Sequence, residues 1–187
     1  MPPTRKTIRI SVPPDGFRYQ KNILTEDEET ELVSHIEKLP FEEYEFHGYL
    51  ARRRTVSFGW HYKFADESLN KTEPIPDFLL PIRNRAAAFA GLDSENIPHV
   101  LITEYSPGTP IGWHRDRAVF EDVIGISLVS RSLFRLRRRT SLGWERYTHI
   151  LDPRSSYLLR GAVRTDWEHS IPAVEQLRYS ITFRSLR

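Results

Sequence analysis

The spacing of hydrophobic and polar positions changes near residue 98. Before it, the clearest signal is a helical stripe in "LTEDEETELVSHIEKLP". Thr25 and Glu28 form a capping box, acids fill the first turn, Leu32, Ile36 and Leu39 recur on one face, and Pro40 stops the element. A second helix is predicted within 76–91, after Pro74 and Pro76, carrying Phe78, Leu79, Ile82 and Ala86. The Pro-rich residues 1–15 read as extended and "FRYQKNIL" (17–24) alternates like a strand. From residue 98 the period is two. "HVLITEY", "DVIGISLV", "SLFRLRR", "ERYTHIL", "SSYLLR" and "LRYSITFRSL" read as strands, separated by the turn signals "SPGTP", "SLGW", "DPRS" and "RGAV". Short strands at this spacing predict a sandwich or jelly roll. With two helices ahead of them, the chain reads as an α+β domain whose N-terminal helices buttress one sheet.

Composition narrows the function classes. A length of 187 residues suits one domain, here 1–187, and 39% hydrophobic with 28% charged residues suits a soluble protein with one core. There is no cysteine, which removes disulfides, thiolate zinc sites and a cysteine nucleophile, so a metal site must use His, Asp or Glu. No apolar run approaches the roughly 18 residues of a membrane span, and "MPPTRKTIRISVPP" lacks the apolar stretch of a secretory signal; a cytoplasmic protein without membrane contact is expected, and a monomer. Residues 1–130 hold 15 Lys and Arg against 20 Asp and Glu, a net of −5, whereas residues 131–187 hold 12 against 5, a net of +7. Every cation after Lys71 is arginine, whose planar fork suits phosphate or carboxylate. A solvated basic face and a polyanion partner both account for this.

The chemistry centres on "GWHRDRAVFED" (112–122). On a strand, His114 and Asp116 project to the same side, and His169 in "RTDWEHSIP" is a third candidate at the start of another strand-like stretch. They are either polar residues on a solvated strand or ligands of one metal. Two histidines and a carboxylate make the facial triad of non-haem Fe(II) oxygenases, and zinc accepts a similar set. In "RYSITFR" Arg178 and Arg184 share the face opposite to Tyr179. They are surface residues of a terminal strand or inward-facing cations that need a carboxylate; a dicarboxylate cosubstrate would be such a partner.

The ordered set "ITEYSPGTPIGWHRD … EHSIP … LRYSITFR" resembles the AlkB family of Fe(II)- and 2-oxoglutarate-dependent dioxygenases, strongly over 98–187 and more loosely back to about residue 17. The resemblance implies a double-stranded β-helix, or jelly roll. It implies Fe(II), 2-oxoglutarate and O2 as the reaction's requirements, and hydroxylation of an N-alkyl group that then falls off as an aldehyde. By it, His114, Asp116 and His169 are the iron ligands and Arg178 binds the distal carboxylate of 2-oxoglutarate. Arg184 sits near the metal-binding end, and Tyr105 donates its hydroxyl to the cosubstrate. Thr103 stands where many relatives carry Asn, and Arg164 matches a position that supports the ligating Asp from behind.

The resemblance also implies a substrate lid at about 46–66, "YLARRRTVSFGWHYKF" at its centre. Arg52, Arg53 and Arg54 could hold phosphates while Trp60 or Tyr62 stacks a base; the plainer reading is a hairpin whose aromatics, Phe58 among them, cap the core. In "LFRLRRR" Phe134 and Leu136 face a core, and Arg135 and Arg137 face outward as a basic strip. These features lead to the expectation of an enzyme that removes alkyl groups from bases in DNA or RNA. Ala118 stands where many base-dealkylating relatives carry an acid, and "AVFEDVIGISL" looks more like the branch that hydroxylates a modified wobble uridine in transfer RNA. The same chemistry on a transfer-RNA modification or a protein side chain is therefore an alternative. A nucleic-acid-binding module with a vestigial metal site is a third reading.

Overall fold

The protein is described from a computed structural model, in which residues 7–46, 49–63 and 68–187 are described, with side chains for 7–43, 53–60 and 70–187. In chain order the elements are β1 (Thr7–Arg9), β2 (Phe17–Gln20), α1 (Glu26–Ile36), β3 (Glu42–Phe46), β4 (Tyr49–Phe58), β5 (Trp60–Lys63), β6 (Ser68–Lys71), α2 (Leu80–Ala90), β7 (His99–Tyr105), β8 (Ile111–His114), β9 (Phe120–Leu128), β10 (Ser132–Thr140), β11 (Gly143–Leu151), β12 (Ser155–Leu159), α3 (Ala162–Thr165), β13 (Glu168–Ile171) and β14 (Arg178–Leu186).

The strands make a seven-stranded sheet ordered β2-β12-β9-β14-β7-β4-β3 and a five-stranded sheet ordered β1-β11-β10-β13-β8, with β5 and β6 paired apart. This is the expected jelly roll with helices on one side. Helix α1 starts as its sequence predicts: Thr25 Oγ1 accepts from the Glu28 amide at 3.2 Å, and Glu28 Oε2 accepts from the Thr25 amide at 2.8 Å. A turn of 3-10 helix (Asp77–Leu79) leads into α2, which ends on Gly91 in the left-handed region at φ 68°.

Two apolar clusters flank the seven-stranded sheet. One joins Leu32 and Ile36 of α1 and Ile82, Ala86 and Phe89 of α2 to Ile102, Ile124, Ile126, Ile181 and Phe183 on the sheet's outer side. The other fills the space between the sheets with Tyr105, Val123, Phe134, Leu136, Tyr147, Tyr157 and Ile171. Because strand side chains alternate, β14 sends Tyr179, Ile181 and Phe183 to the helices and Arg178, Ser180, Thr182 and Arg184 to the space between the sheets.

The stretch expected as a lid divides. Arg54–Phe58 is paired with β7 inside the seven-stranded sheet, and Phe58 is buried in the helix-side cluster, which is the plainer reading. Residues 47, 48 and 64–67 lie outside the described residues, as do the side chains of Arg52 and Tyr62.

Candidate active site

Three elements bring the triad together. His114 ends β8 and stands directly opposite His169 of β13 in the register; the two rings lie 4.2 Å apart, centroid to centroid. His114 Nδ1 is 2.9 Å from the Gly112 carbonyl, which can only accept. Nδ1 therefore donates, which in the neutral ring leaves the lone pair on Nε2, the usual way a backbone carbonyl sets the tautomer of a metal-binding imidazole. Asp116 follows in the loop to β9, nearly buried. Its Oδ1 accepts from Arg184 Nε at 3.0 Å and Nη2 at 2.7 Å, which leaves Oδ2 facing His169 Nε2 at 3.6 Å.

The electrostatics keep Asp116 and His169 in ligand form. Burial pushes the Asp116 carboxyl up, but Arg184, with His169 and His114 behind it, outweighs burial and holds it well below the usual carboxylate range. Burial, reinforced by His114 and opposed by Asp116, lowers His169 to about 3, so its imidazole is neutral. Among the described residues no group of three His, Asp or Glu already stands as a finished metal cage. Asp116 Oδ2 and His169 Nε2, 3.6 Å apart, would have to approach one another to share a metal at the roughly 2.0–2.2 Å typical of such ligands. The donor set itself, two imidazoles and one carboxylate on one side with no thiolate, fits a ferrous ion and leaves positions for other ligands.

The strongest sign of a missing partner is Arg178. It is fully buried. Its Nε donates to Ser127 Oγ at 3.2 Å, but Nη1 and Nη2 have no hydrogen-bond partner in the structure. An unpaired buried guanidinium is costly by several kcal/mol, and a carboxylate supplies what both nitrogens lack. Tyr105 lies opposite Arg178 in the register, its ring 5.0 Å from the guanidinium carbon. Thr103 is buried two residues earlier on the same face. The residues present thus fit 2-oxoglutarate, with Arg178 at its far carboxylate and the triad at its other end.

Two residues of this chamber escape the sequence patterns above. Ser127 positions Arg178, and Tyr157 fills the chamber floor; burial, and then Tyr105, raise its hydroxyl above the ordinary phenol range. A Cβ on Gly125 would stand 2.2 Å from the Tyr157 ring, so the glycine makes room for it. The small residues at alternate positions of "VIGIS" are the available signal.

Other expectations are corrected. Arg164 supports Asp116 through its charge and not by a hydrogen bond: its Nη2 donates to the carbonyls of Arg117, at 2.5 Å, and Phe120, at 2.7 Å. It secures the loop that carries Asp116, and the direct clamp is Arg184. Arg54 is not available for phosphate, because Nε and Nη2 make a bidentate pair with Glu104 at 2.8 and 2.9 Å, on the face turned away from Tyr105. Arg53, one residue along, shares the face of Thr55, which is opposite Thr103 in the register. Trp60 pairs across β5 and β6 with Lys71, whose ammonium is 5.9 Å from its ring. Arg135 and Arg137 face away from the metal ligands, Leu136 between them being the residue paired with His169. They lie on the outer side of the five-stranded sheet, bonded to Ser170 and Glu168.

Comparisons with known proteins bear on the family and the fold. The model of the 2OG-Fe(II) oxygenase superfamily matches residues 16–184. An Arabidopsis thaliana protein named "Alkylated DNA repair protein ALKBH8 homolog" is 27% identical over 164 residues, covering 74% of this chain and 47% of that protein. "Uncharacterized protein L905" of Acanthamoeba polyphaga mimivirus is 26% identical over 125 residues, 60% of this chain and 59% of that one. The chain thus spans about half the length of the curated relatives it matches. The solved structure titled "The structure of OsALKBH1" superposes with a TM-score of 0.72 at 14% identity, over 93% of this chain and 98% of the other, and shares its fold.

Proposed function

Because the chain belongs to the 2OG-Fe(II) oxygenase superfamily, and is therefore a dioxygenase requiring Fe(II), 2-oxoglutarate and O2, we propose that its substrate is an N-alkylated base in a nucleic-acid strand, which it dealkylates oxidatively. The observation that carries the chemistry is the buried Arg178 guanidinium with two unpartnered nitrogens, facing the same chamber as His114, Asp116 and His169. The substrate class is supported by the Arabidopsis relative, named for the repair of alkylated DNA, and by the excess of arginine after residue 130.

In this reading His114 Nε2, His169 Nε2 and Asp116 Oδ2 hold the metal on one side. Iron with its cosubstrate supplies the power to hydroxylate a C–H bond, 2-oxoglutarate leaving as succinate and carbon dioxide. Arg184 keeps Asp116 ionised and aimed. Arg178 orients 2-oxoglutarate by a two-toothed grip on its far carboxylate, with Tyr105 donating its hydroxyl beside it. Burial of this chamber excludes water. Arg53, which shares the face of Thr55 opposite Thr103, and Trp60 would contact the extruded base.

The test supplies Fe(II), 2-oxoglutarate and O2 with a panel of N-methylated DNA and RNA oligonucleotides, and measures formaldehyde against succinate. One-to-one release from a methylated strand is expected. Succinate formation with no methylated strand consumed would overturn the substrate class. A second reading, the same chemistry on a transfer-RNA modification, rests on Ala118, which leaves no carboxylate immediately after the triad's Asp to read a damaged base. In that case a modified transfer RNA gains a hydroxyl and no aldehyde is released.

A further inference from the structure

The outer side of the five-stranded sheet is built unlike any other surface among the described residues. Phe134, Leu136, Tyr147 and His169 of this sheet point inward, so alternation turns Trp113, Arg135, Arg137, Arg139, Trp144 and Arg146 outward. The Arg137 guanidinium is sandwiched between two indoles, 4.3 Å from the Trp113 ring and 4.4 Å from Trp144. Arg135 and Arg146 also approach Trp113, at 5.2 and 5.9 Å. The register continues the row: Arg137 lies opposite Arg146, and Arg146 opposite Arg9 of β1. Glu168 is the acid on this face, and it is taken by Arg137 at 2.6 Å. Among the described residues Arg9, Arg139 and Arg146 have no carboxylate partner, and all three are exposed.

A solvated face does not need this arrangement. Cations spread on a surface repel one another, and two tryptophans left partly exposed forgo the apolar burial that a core would give. Stacked guanidinium and indole planes are instead rigid, keep N–H edges pointing outward, and offer flat faces beside them. Arginine forks follow phosphate oxygens, and aromatic faces accept a base of any sequence. Protein acids could match the charge, but they do not use the indole planes.

We propose that this outer face is a second nucleic-acid contact, a docking strip on which a single-stranded phosphodiester backbone runs across β10 and β11 on Arg137, Arg139 and Arg146 and stacks on Trp113 and Trp144. It rests on the reading of a nucleic-acid substrate and deepens it. His169 lies on the inner side of β13, whose outward Glu168 is bonded to Arg137. The strip is therefore separated from the metal site by one sheet thickness, and a strand long enough to pass the sheet edge at β8 would occupy both. Strip binding is sequence-neutral and independent of alkylation.

The test measures binding of a labelled, unalkylated 20-nucleotide single strand by fluorescence anisotropy against salt. Three proteins are compared: the parent, Arg139→Ala/Arg146→Ala, and Lys21→Ala/Arg131→Ala, which removes the same charge from residues held by Asp152 instead. Each phosphate that is no longer neutralised should lower the log–log salt slope by about 0.7. The Arg139→Ala/Arg146→Ala protein should therefore show a slope smaller by about 1.4 and bind at least tenfold more weakly at low salt. The Lys21→Ala/Arg131→Ala protein should keep the parent slope. Trp113→Phe, which retains a ring, should bind better than Trp113→Ala. Equal slopes in all three proteins, or no binding by the parent, would overturn the strip. Release of formaldehyde from a short methylated strand is measured separately. If it occurs while the strip variants bind like the parent, the docking strip fails and the substrate reading stands; if it never occurs although the strip binds strands, the substrate reading fails.

Discussion

Arg178 shows most directly how a single side chain ties sequence to chemistry. Its Nε is held by Ser127 and its two outer nitrogens wait for a carboxylate. A lysine keeps the charge but cannot bridge two oxygens. Arg178→Lys should therefore weaken 2-oxoglutarate by about 1–3 kcal/mol, read as the rise in KM for 2-oxoglutarate in substrate-free turnover. An unchanged KM would assign the guanidinium to structure alone. Gly125 makes the complementary case. Its inward position leaves 2.2 Å between a would-be Cβ and the Tyr157 ring, so Gly125→Ala must displace a buried aromatic. Overpacking of this kind costs about 1–3 kcal/mol, visible as a lower urea midpoint with an unchanged m-value.

Among the elements, α1 is the most legible in the sequence and makes the cleanest pH prediction. Glu28 is lowered to about 2, first by its hydrogen bond from Arg85 and then by the Thr25 amide. A carboxyl depressed in the folded state stabilises it above the unfolded value of 4.5, and that stability is lost as pH falls from 4.5 through about 2. Between pH 6 and pH 3 the parent should thus lose more stability than Glu28→Gln, in parallel urea titrations; identical losses would show that the Arg85 pair contributes nothing. The long strands β7, β9, β10, β11 and β14 are equally readable, because each runs for seven to nine residues between turn signals. Strands β8 and β13, which carry His114 and His169, are four residues long, too short for a period to declare itself, and only the pairing of His114 with His169 makes them visible. Arg135 and Arg137 face outward, as the alternation of "LFRLRRR" predicts. Which end of the barrel they serve is not readable, since alternation gives the face of a strand and not its neighbours across the sheet.

At the scale of the whole molecule, the helix-side cluster is mainly apolar, its buried Glu104 paired with Arg54 and Tyr179, whereas the chamber between the sheets buries Arg178, Arg184, Asp116 and His169. The protein without ligands thus carries unsatisfied buried charge, and ligands that satisfy it should stabilise the whole fold. At about 100 times the dissociation constant a ligand adds about 2.7 kcal/mol, and for a chain of this size each kcal/mol moves Tm by about 2–4 °C. Mn(II) with 2-oxoglutarate should therefore raise Tm by roughly 5–10 °C in a thermal melt, and stripping the metal with a chelator should return it. Arg178→Ala should keep the rise from Mn(II) alone and lose the further rise from 2-oxoglutarate. A melt indifferent to both ligands would contradict the assigned chamber.

The two-sided character of β14 also bears on how this chain can change over generations. Its odd and even positions serve different solvents, a helix-packed layer and a charged chamber, and β14 is bonded on both edges, to β7 and β9. Substitutions can be tried there one at a time, each judged by the layer it meets. Gaining or losing a single residue within 178–184 is another matter: beyond that point every side chain crosses to the wrong layer at once, so that Arg184 would face the helices and Phe183 the metal ligands. Length within this strand is thus inherited as a unit, and lineages of the protein should differ in the letters of β14 while keeping the count between its two arginines.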